Sequence, residues 1–296
     1  MSRAITAETR IAGVVGHPVR HSLSPLIHNA WIEAAGLDAV YLAFAPGREG
    51  FSRFVEGLRG GVVLGLNVTI PFKEEALALA DEADEAALRA GAANLLLFNQ
   101  DGGIEASNTD GTGLILALAG AGFRADSDHI VVGGQGGGPL AGHAVVLGAG
   151  GAARAATIAL LGAGVGQVAV INRTIERARN IAALDPRITV HGWDEAADVL
   201  AGAGAIINAT SLGMIGQPPL ELSLGAAPVT AIVMDMVYRP LRTELIKAAE
   251  RRGHPTADGL AMLIGQAAPS FMRIFNASSG GVDVRALCEA ALGERS

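Results

Sequence analysis

The sequence has a single cysteine, Cys288, among its 296 residues, and only 4% of its residues are aromatic. One cysteine excludes any disulfide within the chain, which is typical of proteins from a reducing compartment such as the cytoplasm. The formal net charge is −7, which argues against nucleic acid as the main partner because phosphate backbones attract basic surfaces. We therefore expect neither a disulfide scaffold nor a nucleic-acid-binding protein.

The sequence also lacks an uninterrupted apolar run of the roughly 20 residues that a membrane-spanning helix needs. Its N-terminal segment, residues 1–6, has no long apolar stretch of the kind found in signal peptides. We therefore expect a soluble cytoplasmic protein with no membrane partner. The sequence leaves open whether the protein is a monomer or a homodimer.

Half of the residues are hydrophobic and 40 are glycine, a composition typical of α/β proteins with many tight turns. The length predicts two domains. In the first part of the chain, strands and helices alternate, which indicates a first α/β unit. Ser24 is a plausible N-cap for one of its helices, and Gly36 suits that helix's C-terminal stop. Strands are predicted at 11–16, 40–44, 62–70 and 93–98, and a second helix at 74–89.

The second half of the chain has continuous apolar strands separated by helices, after a linking helix at 111–122. Strands are predicted at 144–147, 168–171, 205–208 and 232–234, and helices at 152–161, 175–183 and 243–252. Such strands indicate a parallel sheet covered on both faces. The glycine-rich segment 133–138 is predicted to be a flexible loop. A phosphate loop is disfavoured there because Pro139 interrupts it and no Walker lysine follows.

A glycine-rich turn joins the first strand of this second half to its helix. The turn comprises Gly148, Ala149, Gly150, Gly151 and Ala152. Because it directly follows a predicted strand and opens a predicted helix, it has the context of a dinucleotide-binding turn. Gly148 permits the tight turn, Gly150 lets a pyrophosphate approach the backbone, and the helix N-terminus attracts phosphate. The alternative is a purely structural glycine-rich turn.

The end of the next strand favours NADP over NAD. NAD sites place Asp or Glu there, about 20 residues after the turn, to hold the ribose 2′-hydroxyl. This chain has Asn172, Arg173 and Thr174 instead, with Arg177 one helical turn further on. The two guanidinium groups suit a 2′-phosphate. The alternative is a pair of solvated surface arginines.

Three polar clusters lie near strand ends in the first unit, where the loops of an α/β scaffold carry functional residues. The clusters are His21-Ser22-Leu23-Ser24-Pro25, Asn67-Val68-Thr69-Ile70-Pro71-Phe72-Lys73 and Asn108-Thr109-Asp110-Gly111. Together with Gly91-Ala92-x-Asn94, the glycine turn, Asn172-Arg173-Thr174 and Asp258-Gly259-Leu260-x-Met262-Leu263, they resemble the shikimate dehydrogenase family. The motifs occur in the family's order and cover nearly the whole chain.

This resemblance implies an α/β fold of two domains with a cleft between them. An N-terminal α/β substrate domain would comprise residues 1–110 plus 259–296, and a Rossmann-like NADP-binding domain would comprise 111–258. The implied activity is that of an NADP-dependent oxidoreductase acting on a CH–OH group. It would interconvert 3-dehydroshikimate and shikimate in the chorismate pathway of aromatic amino-acid biosynthesis.

The resemblance also implies the catalytic residues, with Lys73 as the general acid–base and Asp110 as its partner. The chemistry agrees, because hydride transfer to a ketone leaves negative charge on oxygen that a nearby ammonium stabilises and protonates. Considered singly, Lys73 is also compatible with a solvated surface lysine, and Asp110 with a helix cap. The histidines His17, His21 and His28 have no metal-ligand spacing, so we expect no metal site.

The remaining roles that the resemblance implies concern binding. Its substrate-binding residues are Ser22 and Ser24 for the carboxylate, Thr69 and Tyr238 nearby, and Asn94, Asp110 and Gln266 for the hydroxyl groups. Ser24 considered alone would be only an N-cap. Its cofactor-binding residues are Met236 and Gly259, near the nicotinamide, together with the glycine turn and Asn172, Arg173, Thr174 and Arg177.

Two alternative functions remain open. One is a quinate/shikimate dehydrogenase with broader substrate or NAD use, since the chain departs from the family at Gly16-His17-Pro18 and at Leu95. The other is a catalytically silent NADP-binding module. Retention of Ser22, Ser24, Lys73 and Asp110 argues against the silent module, because binding NADP alone does not need them.

Overall fold

The computed structural model describes residues 4–125, 130–132 and 143–293 of the chain. The chain forms two compact units. The first unit combines Met1–Thr109 with Gln266–Ser296, and the second spans Asp110–Gly265. The mixed α/β fold with two domains, expected from the sequence, is confirmed. The glycine-rich segment 133–138, predicted to be a flexible loop, lies outside the described residues.

The first unit is built on a six-stranded mixed sheet in the order β2-β1-β3-β5-β6-β4. Its strands are β1 (Arg10–Val15), β2 (Ala39–Phe44), β3 (Gly65–Val68), β4 (Glu82–Ala83), β5 (Leu95–Phe98) and β6 (Ile104–Ser107). β1 runs parallel to both of its neighbours, β2 and β3, whereas β5 is antiparallel to β3 and β6. The parallel strands β1 and β3 therefore end at the same edge, which places the loops after them together.

Helices cover this first sheet. They are α1 (Ser24–Ala34), α2 (Phe51–Glu56), α3 (Lys73–Leu79), α4 (Glu85–Ala90) and the C-terminal α11 (Val284–Leu292). In the core, the rings of Phe51 and Phe72 stack with centroids 4.3 Å apart. The single cysteine, Cys288, is buried, and burial raises the pKa of its thiol to about 11.

The predicted helix over 74–89 is wrong as a single element. Leu79 ends α3, Ala80 is extended, and the short strand β4 then pairs with β6. Asp84 starts the second helix, because its carboxylate accepts a hydrogen bond of 2.8 Å from the amide of Ala87. The helix propensity of the Ala, Leu and Glu residues persists through the segment, but this cap and the strand pairing divide it.

The predicted N-cap at Ser24 is also wrong. Ser24 is the first residue of α1, and Leu23 holds the N-cap position without a side-chain hydrogen bond. The amide of Ser24 instead donates to the Oγ of Ser22 over 3.2 Å, so the earlier serine satisfies one of the unpaired amides at the start of the helix. Gly36 does lie just beyond the helix in a left-handed conformation, as predicted, with a φ of +63°.

The second unit contains a six-stranded parallel sheet in the order β11-β10-β9-β12-β13-β14. Its strands are β9 (His143–Leu147), β10 (Val168–Ile171), β11 (Ile188–His191), β12 (Ala203–Asn208), β13 (Ile232–Asp235) and β14 (Thr256–Ala257). Counted from β9, this is the order 3-2-1-4-5-6 of the Rossmann fold. The central strands are buried throughout, which confirms the predicted sheet with two covered faces.

The helices of the second unit are α5 (Asp110–Gly120), α6 (Gly151–Gly162), α7 (Ile175–Ala182), α8 (Ala196–Leu200) and α9 (Glu244–Arg251). A short antiparallel pair, β7 (Phe123–Ala125) and β8 (Ile130–Val132), follows α5. In the part of the chain that the structure describes, no helix is long and apolar enough to cross a membrane.

The two units share the long helix α10 (Gly259–Phe275). The boundary lies inside this helix, between Gly265 and Gln266, rather than before Gly259. The first half of α10 belongs to the second unit because it packs closely on α5, where a Cβ placed on Gly265 would lie 3.1 Å from the Cα of Gly113. The assignment of substrate to the first unit and NADP to the second stays a prediction.

Candidate functional site

The glycine turn begins at the carboxyl end of β9. Gly148 has a φ of +108°, a conformation that favours glycine, and its amide donates 2.8 Å to the carbonyl oxygen of Ile171. A Cβ at this position would lie 3.0 Å from the Cγ2 of Thr210. The backbone conformation and the close approach of the loop after β12 therefore both require glycine here.

The next two glycines open α6 and face open space. Gly150 is the N-cap of this helix, and a Cβ on Gly150 or on Gly151 would meet no protein atom within 4 Å. Both residues are exposed, as is Ala152, and Ala149 is half-buried. Ala153, by contrast, is fully buried in the core under the helix. Packing within the protein therefore does not require glycine at 150 or 151. The open space beside them, at the N-terminus of a helix, fits the pyrophosphate of a dinucleotide.

A buried polar cluster supports this turn from the neighbouring strands. Asp235, at the end of β13, accepts hydrogen bonds from the Nδ2 of Asn208 (2.9 Å) and the Oγ1 of Thr243 (2.6 Å). The Oδ1 of Asn208 in turn accepts from the amide and hydroxyl of Thr210. Burial raises the pKa of Asp235, opposed by these hydrogen bonds. The cluster therefore holds Thr210 against Gly148.

Sequence reasoning missed this cluster. The signal that was available is the polar run Asn208-Ala209-Thr210-Ser211 directly after an apolar strand. That strand, β12, lies beside β9, and the two meet where the strand order of the sheet reverses. In open α/β sheets, ligands bind at this reversal, outside the carboxyl ends of the strands.

The predicted 2′-phosphate residues lie at the end of β10 and the start of α7. The Nδ2 of Asn172 donates 2.8 Å to the carbonyl oxygen of Thr174, the N-cap residue of α7. Arg173 and Arg177 are both exposed, and the amide of Arg177 donates 3.2 Å to the carbonyl oxygen of Thr174. The local backbone therefore places the two arginines within one turn of each other.

Met236 and Gly259, the two residues predicted to lie near the nicotinamide, are close neighbours in the structure. Met236 follows β13 and Gly259 begins α10. A Cβ on Gly259 would lie 2.3 Å from the carbonyl oxygen of Met236, which is closer than any side chain allows. Gly259 is therefore needed for this approach, whatever binds beside it.

Thr69 and Lys73 follow the carboxyl end of β3. The amide of Thr69 donates 2.9 Å to the carbonyl oxygen of Val15 at the end of β1. A Cβ on Gly16 would lie 2.3 Å from the Cγ2 of Thr69, so the glycine after β1 makes room for the threonine. Lys73 is half-buried at the first position of α3, and its carbonyl oxygen accepts 2.8 Å from the amide of Ala93. Both side chains are thus carried by backbone tied to neighbouring strands.

Two predicted substrate amides meet in the interior of the first unit. The Nδ2 of Asn94 donates 3.1 Å to the Oε1 of Gln266, although the residues are 172 positions apart in the chain. Only 2% of Asn94 and 8% of Gln266 is exposed. Thr109 binds both residues, through its amide to the Oδ1 of Asn94 (2.8 Å) and through its hydroxyl to the carbonyl oxygen of Gln266 (3.0 Å).

A further layer of buried polar residues lies behind these amides. The Nδ2 of Asn67 donates to the carbonyl oxygen of Asn94 (3.2 Å) and to the Oγ of Ser270 (2.9 Å). The Oδ1 of Asn67 accepts from the hydroxyl of Tyr41. Sequence reasoning quoted Asn67 only as part of a motif and missed Tyr41 and Ser270, because nothing in the local pattern links strands β2 and β3 to helix α10.

Four further predicted residues lie on or beside α1, α5 and β13. Ser22 and Ser24 lie before and at the start of α1, half-buried and buried respectively. Asp110 begins α5 and Tyr238 follows β13, and both belong to the second unit. Among the described residues, no group of three or more His, Cys, Asp or Glu side chains has the arrangement of a metal site.

The fold and the site define the class of this protein. Strand order 3-2-1-4-5-6 with a glycine turn at its first strand makes the second unit a Rossmann-type dinucleotide-binding fold. Two family models match the chain. The model described as "Shikimate dehydrogenase substrate binding domain" matches residues 14–96, and "Shikimate / quinate 5-dehydrogenase" matches residues 139–215.

Known proteins are similar over the full length. The shikimate dehydrogenase (NADP(+)) of Caulobacter vibrioides strain NA1000 / CB15N is 51% identical over 298 residues, which cover 99% of this chain and 100% of the relative. The crystal structure of shikimate dehydrogenase from Aquifex aeolicus has a TM-score of 0.83 at 34% identity and covers 98% of this chain and 99% of its own.

A third similar protein carries ligands. It is the shikimate 5-dehydrogenase from Thermus thermophilus, solved in complex with NADP(H) and shikimate. Its TM-score is 0.80 at 33% identity, covering 95% of this chain and 98% of that one. The chain belongs to the shikimate dehydrogenase family, an oxidoreductase family, as the sequence motifs predicted.

Proposed function

We propose that the protein catalyses the NADPH-linked, reversible reduction of 3-dehydroshikimate to shikimate, a step of aromatic amino-acid biosynthesis. The observation that carries this proposal is the full-length similarity to the shikimate dehydrogenase (NADP(+)) of Caulobacter vibrioides. The buried pair Asn94 and Gln266 supports it, because such amides suit a polyhydroxylated substrate. The open space beside Gly150 in the glycine turn is evidence for a dinucleotide cofactor.

NADP is the proposed cofactor, bound through the glycine turn and the residues after β10. Its pyrophosphate would lie at the N-terminus of α6, against Gly148, Ala149, Gly150, Gly151 and Ala152. Its 2′-phosphate would be held by Asn172, Arg173, Thr174 and Arg177. Two exposed guanidinium groups one turn apart form charge-assisted bonds to phosphate more readily than to a bare ribose hydroxyl. Met236 and Gly259 would contact the nicotinamide.

The proposed substrate residues divide by chemistry. The hydroxyl donors Ser22, Ser24 and Thr69, with Tyr238, would hold the carboxylate. The amides of Asn94 and Gln266, with Asp110, would hold the ring hydroxyl groups. Both sets are supported by their placement, since the serines lie at the start of a helix and the amides are buried and oriented by neighbours.

Lys73 is the proposed general acid–base. When bound, NADPH supplies the hydride. Reduction of the ketone leaves negative charge on its oxygen, and the Nζ of Lys73 would stabilise that charge and deliver the proton. Asp110 would orient the ammonium toward that oxygen. In the reverse direction the same nitrogen would accept the proton from the shikimate hydroxyl.

Substitution of Lys73 tests this assignment. We expect Lys73→Ala to lower kcat by at least about 1,000-fold, in line with loss of a general acid and an electrostatic contact, while NADPH still binds. The other lysine of the chain, Lys247, has a side chain that is 43% exposed, and its Nζ pairs with the Oε1 of Glu244 over 3.0 Å. Lys247→Ala is therefore a matched control with wild-type activity. Full activity of Lys73→Ala would remove Lys73 from the mechanism.

Substrate and cofactor preference are tested on the wild-type enzyme. Steady-state rates on shikimate and on quinate, each with NADP+ and with NAD+, separate the possibilities. We expect the highest kcat/KM for shikimate with NADP+. Comparable rates on quinate or with NAD+ would favour the broader quinate/shikimate dehydrogenase. NADPH binding without any turnover would instead indicate a silent binding module.

We also infer a cytoplasmic location, supported by the single buried cysteine, and a monomer or homodimer. Light scattering of the purified protein distinguishes the two oligomeric states. Fractionation of cells that express the protein checks the location, and recovery in the membrane or secreted fraction would contradict it.

A further inference from the structure

We propose that Thr109 is a positioning residue, which fixes the side-chain amides of Asn94 and Gln266 in the orientation that reads the substrate hydroxyl groups. This inference rests on the proposed function, in which those two amides bind the substrate. Thr109 itself is only 4% exposed and lies directly before the proposed catalytic Asp110. It acts through the amides, without contacting the substrate.

The amide of Thr109 determines which way Asn94 points. It donates 2.8 Å to the Oδ1 of Asn94. A backbone N–H is only ever a donor, so the oxygen of the Asn94 side chain must face it and the Nδ2 must lie on the opposite side. A reversed amide would place two donors against each other. Asn94 is thereby held as a hydrogen-bond donor on its Nδ2 side.

The hydroxyl of Thr109 connects Asn94 to Gln266 by hydrogen bonds. Its Oγ1 accepts 2.9 Å from the Nδ2 of Asn94 and donates 3.0 Å to the carbonyl oxygen of Gln266. The Nδ2 of Asn94 also donates 3.1 Å to the Oε1 of Gln266. The Oε1 therefore faces Asn94, and the orientation of the second amide follows from that of the first.

The Thr109 hydroxyl is itself held in place. The Oγ of Ser270, which is fully buried, lies 3.2 Å from it and donates 3.1 Å to the same carbonyl oxygen of Gln266. On the other side, the Nδ2 of Asn108 donates 2.8 Å to the carbonyl oxygen of Ala92, which anchors the backbone before Thr109. In this buried setting, a misoriented amide leaves polar atoms unpaired, and that cost keeps one arrangement dominant.

This arrangement has a consequence for specificity. A site whose polar groups are fixed and buried rejects a ligand that lacks the matching hydroxyl, because the site is then left with unpaired donors. Without the Thr109 hydroxyl, the Nδ2 of Asn94 loses one acceptor and the carbonyl oxygen of Gln266 loses one donor, so the two amides are held less firmly and the penalty falls. Loss of the Thr109 hydroxyl should therefore weaken both shikimate binding and discrimination against deoxy analogues.

The test compares Thr109→Val with Thr109→Ser. Valine has the shape of threonine without the hydroxyl, whereas serine keeps the hydroxyl. For Thr109→Val we expect the KM for shikimate to rise about fivefold, in line with loss of one buried hydrogen bond, and the KM for NADP+ to stay within about twofold. Thr109→Ser should keep both KM values within about twofold of wild type.

A second readout is selectivity, measured as the ratio of kcat/KM for shikimate to kcat/KM for analogues that each lack one ring hydroxyl. We expect this ratio to fall at least about threefold in Thr109→Val for one analogue and to be kept in Thr109→Ser. Urea unfolding of each variant identifies a purely structural role, which would lower the midpoint without changing the ratio.

Thr109→Ala removes the same hydroxyl without the added methyl group and replaces Thr109→Val if that variant does not fold. Unchanged KM and selectivity in a folded variant without the hydroxyl would overturn this inference and leave the proposed function intact. A wild-type enzyme that does not turn over shikimate would overturn the proposed function, and this inference with it.

Discussion

The hydroxyl of Tyr41 donates a hydrogen bond of 2.8 Å to the Oδ1 of Asn67. Tyr41 lies on β2 and Asn67 on β3, so the bond crosses β1, the strand between them. The Nδ2 of Asn67 in turn donates a hydrogen bond of 2.9 Å to the Oγ of Ser270 in α10. Both partners are buried, with 1% of Tyr41 and 5% of Asn67 exposed. This bond links the edge of the first sheet to the helix that carries Gln266.

The first prediction concerns this bond. Tyr41→Phe keeps the ring and removes the donor, which leaves the Oδ1 of Asn67 buried with one partner fewer. We expect the free energy of unfolding to fall by about 1–3 kcal/mol, measured by urea denaturation. In the double variant Tyr41→Phe/Asn67→Ala, the tyrosine change should cost less than it does alone. Additive losses would show that the two side chains are not coupled.

The second prediction concerns pH. His28 is fully buried, stacks on Tyr41 with centroids 4.1 Å apart, and neither of its ring nitrogens has a hydrogen-bond partner within the described residues. Burial lowers its pKa from 6.5 to about 3, so the folded protein takes up fewer protons than the unfolded chain. The corresponding stability is complete above pH 6.5 and is lost as the pH falls from 6.5 toward 3.

His28→Phe keeps an aromatic ring against Tyr41 and removes the titration. Between pH 7 and pH 5, we expect the wild type to lose about 2 kcal/mol more unfolding free energy than the variant. Urea denaturation at the two pH values measures the difference. Parallel losses in the two proteins would mean that His28 does not titrate differently on unfolding.

The third prediction separates two glycines of the same turn. Gly148→Ala strains a left-handed residue and approaches Thr210, so we expect a loss of about 2 kcal/mol in stability. Gly150→Ala meets no protein atom and should leave the urea midpoint unchanged while it weakens NADPH binding, measured by fluorescence titration. Gly162→Ala, at the far end of α6, is the control for both measurements. Tight NADPH binding by Gly150→Ala would place the pyrophosphate elsewhere.

The fourth prediction concerns the choice of cofactor. We expect Arg173→Ala to raise the KM for NADP+ about tenfold, because a charge-assisted bond to phosphate is lost, and to leave the KM for NAD+ within about twofold. Arg177→Ala should act in the same direction. Arg179→Ala is the matched control, since Arg179 is exposed on the same helix. An equal rise in the KM for NADP+ and for NAD+ would show that Arg173 does not bind the 2′-phosphate.

The fifth prediction concerns the cluster behind the glycine turn. Asp235 accepts three hydrogen bonds, from Asn208, Thr243 and the amide of Val237. In Asp235→Asn one carboxylate oxygen becomes an NH2 group, so the bonds that hold Asn208, and through it Thr210 beside Gly148, are weakened or rearranged. We expect the KM for NADP+ to rise about threefold. Asp198→Asn, an exposed carboxylate on α8, should change nothing, and an unaltered KM in Asp235→Asn would separate the cluster from cofactor binding.

The second unit was the more predictable part of the fold. The strand predicted at 168–171 agrees with β10 residue for residue, because an uninterrupted apolar run between two helices has few other solutions. The glycine turn was recognisable for the same reason, since its spacing is a local property. The helix predicted over 74–89 was wrong because Asp84 serves equally well as a surface residue and as a cap, and only pairing between β4 and β6 decides between them.

The sequence by itself determined the family, the glycine turn at Gly148 and the residue types of the site, because these are matters of order and local spacing. The tertiary structure alone decided which of those residues meet. Asn94 and Gln266 lie 172 positions apart, and Thr109 orients both only after the first sheet and α10 have packed together. Hydrogen bonds across such separations depend on burial and on the direction of each donor, and no periodicity in the chain encodes either.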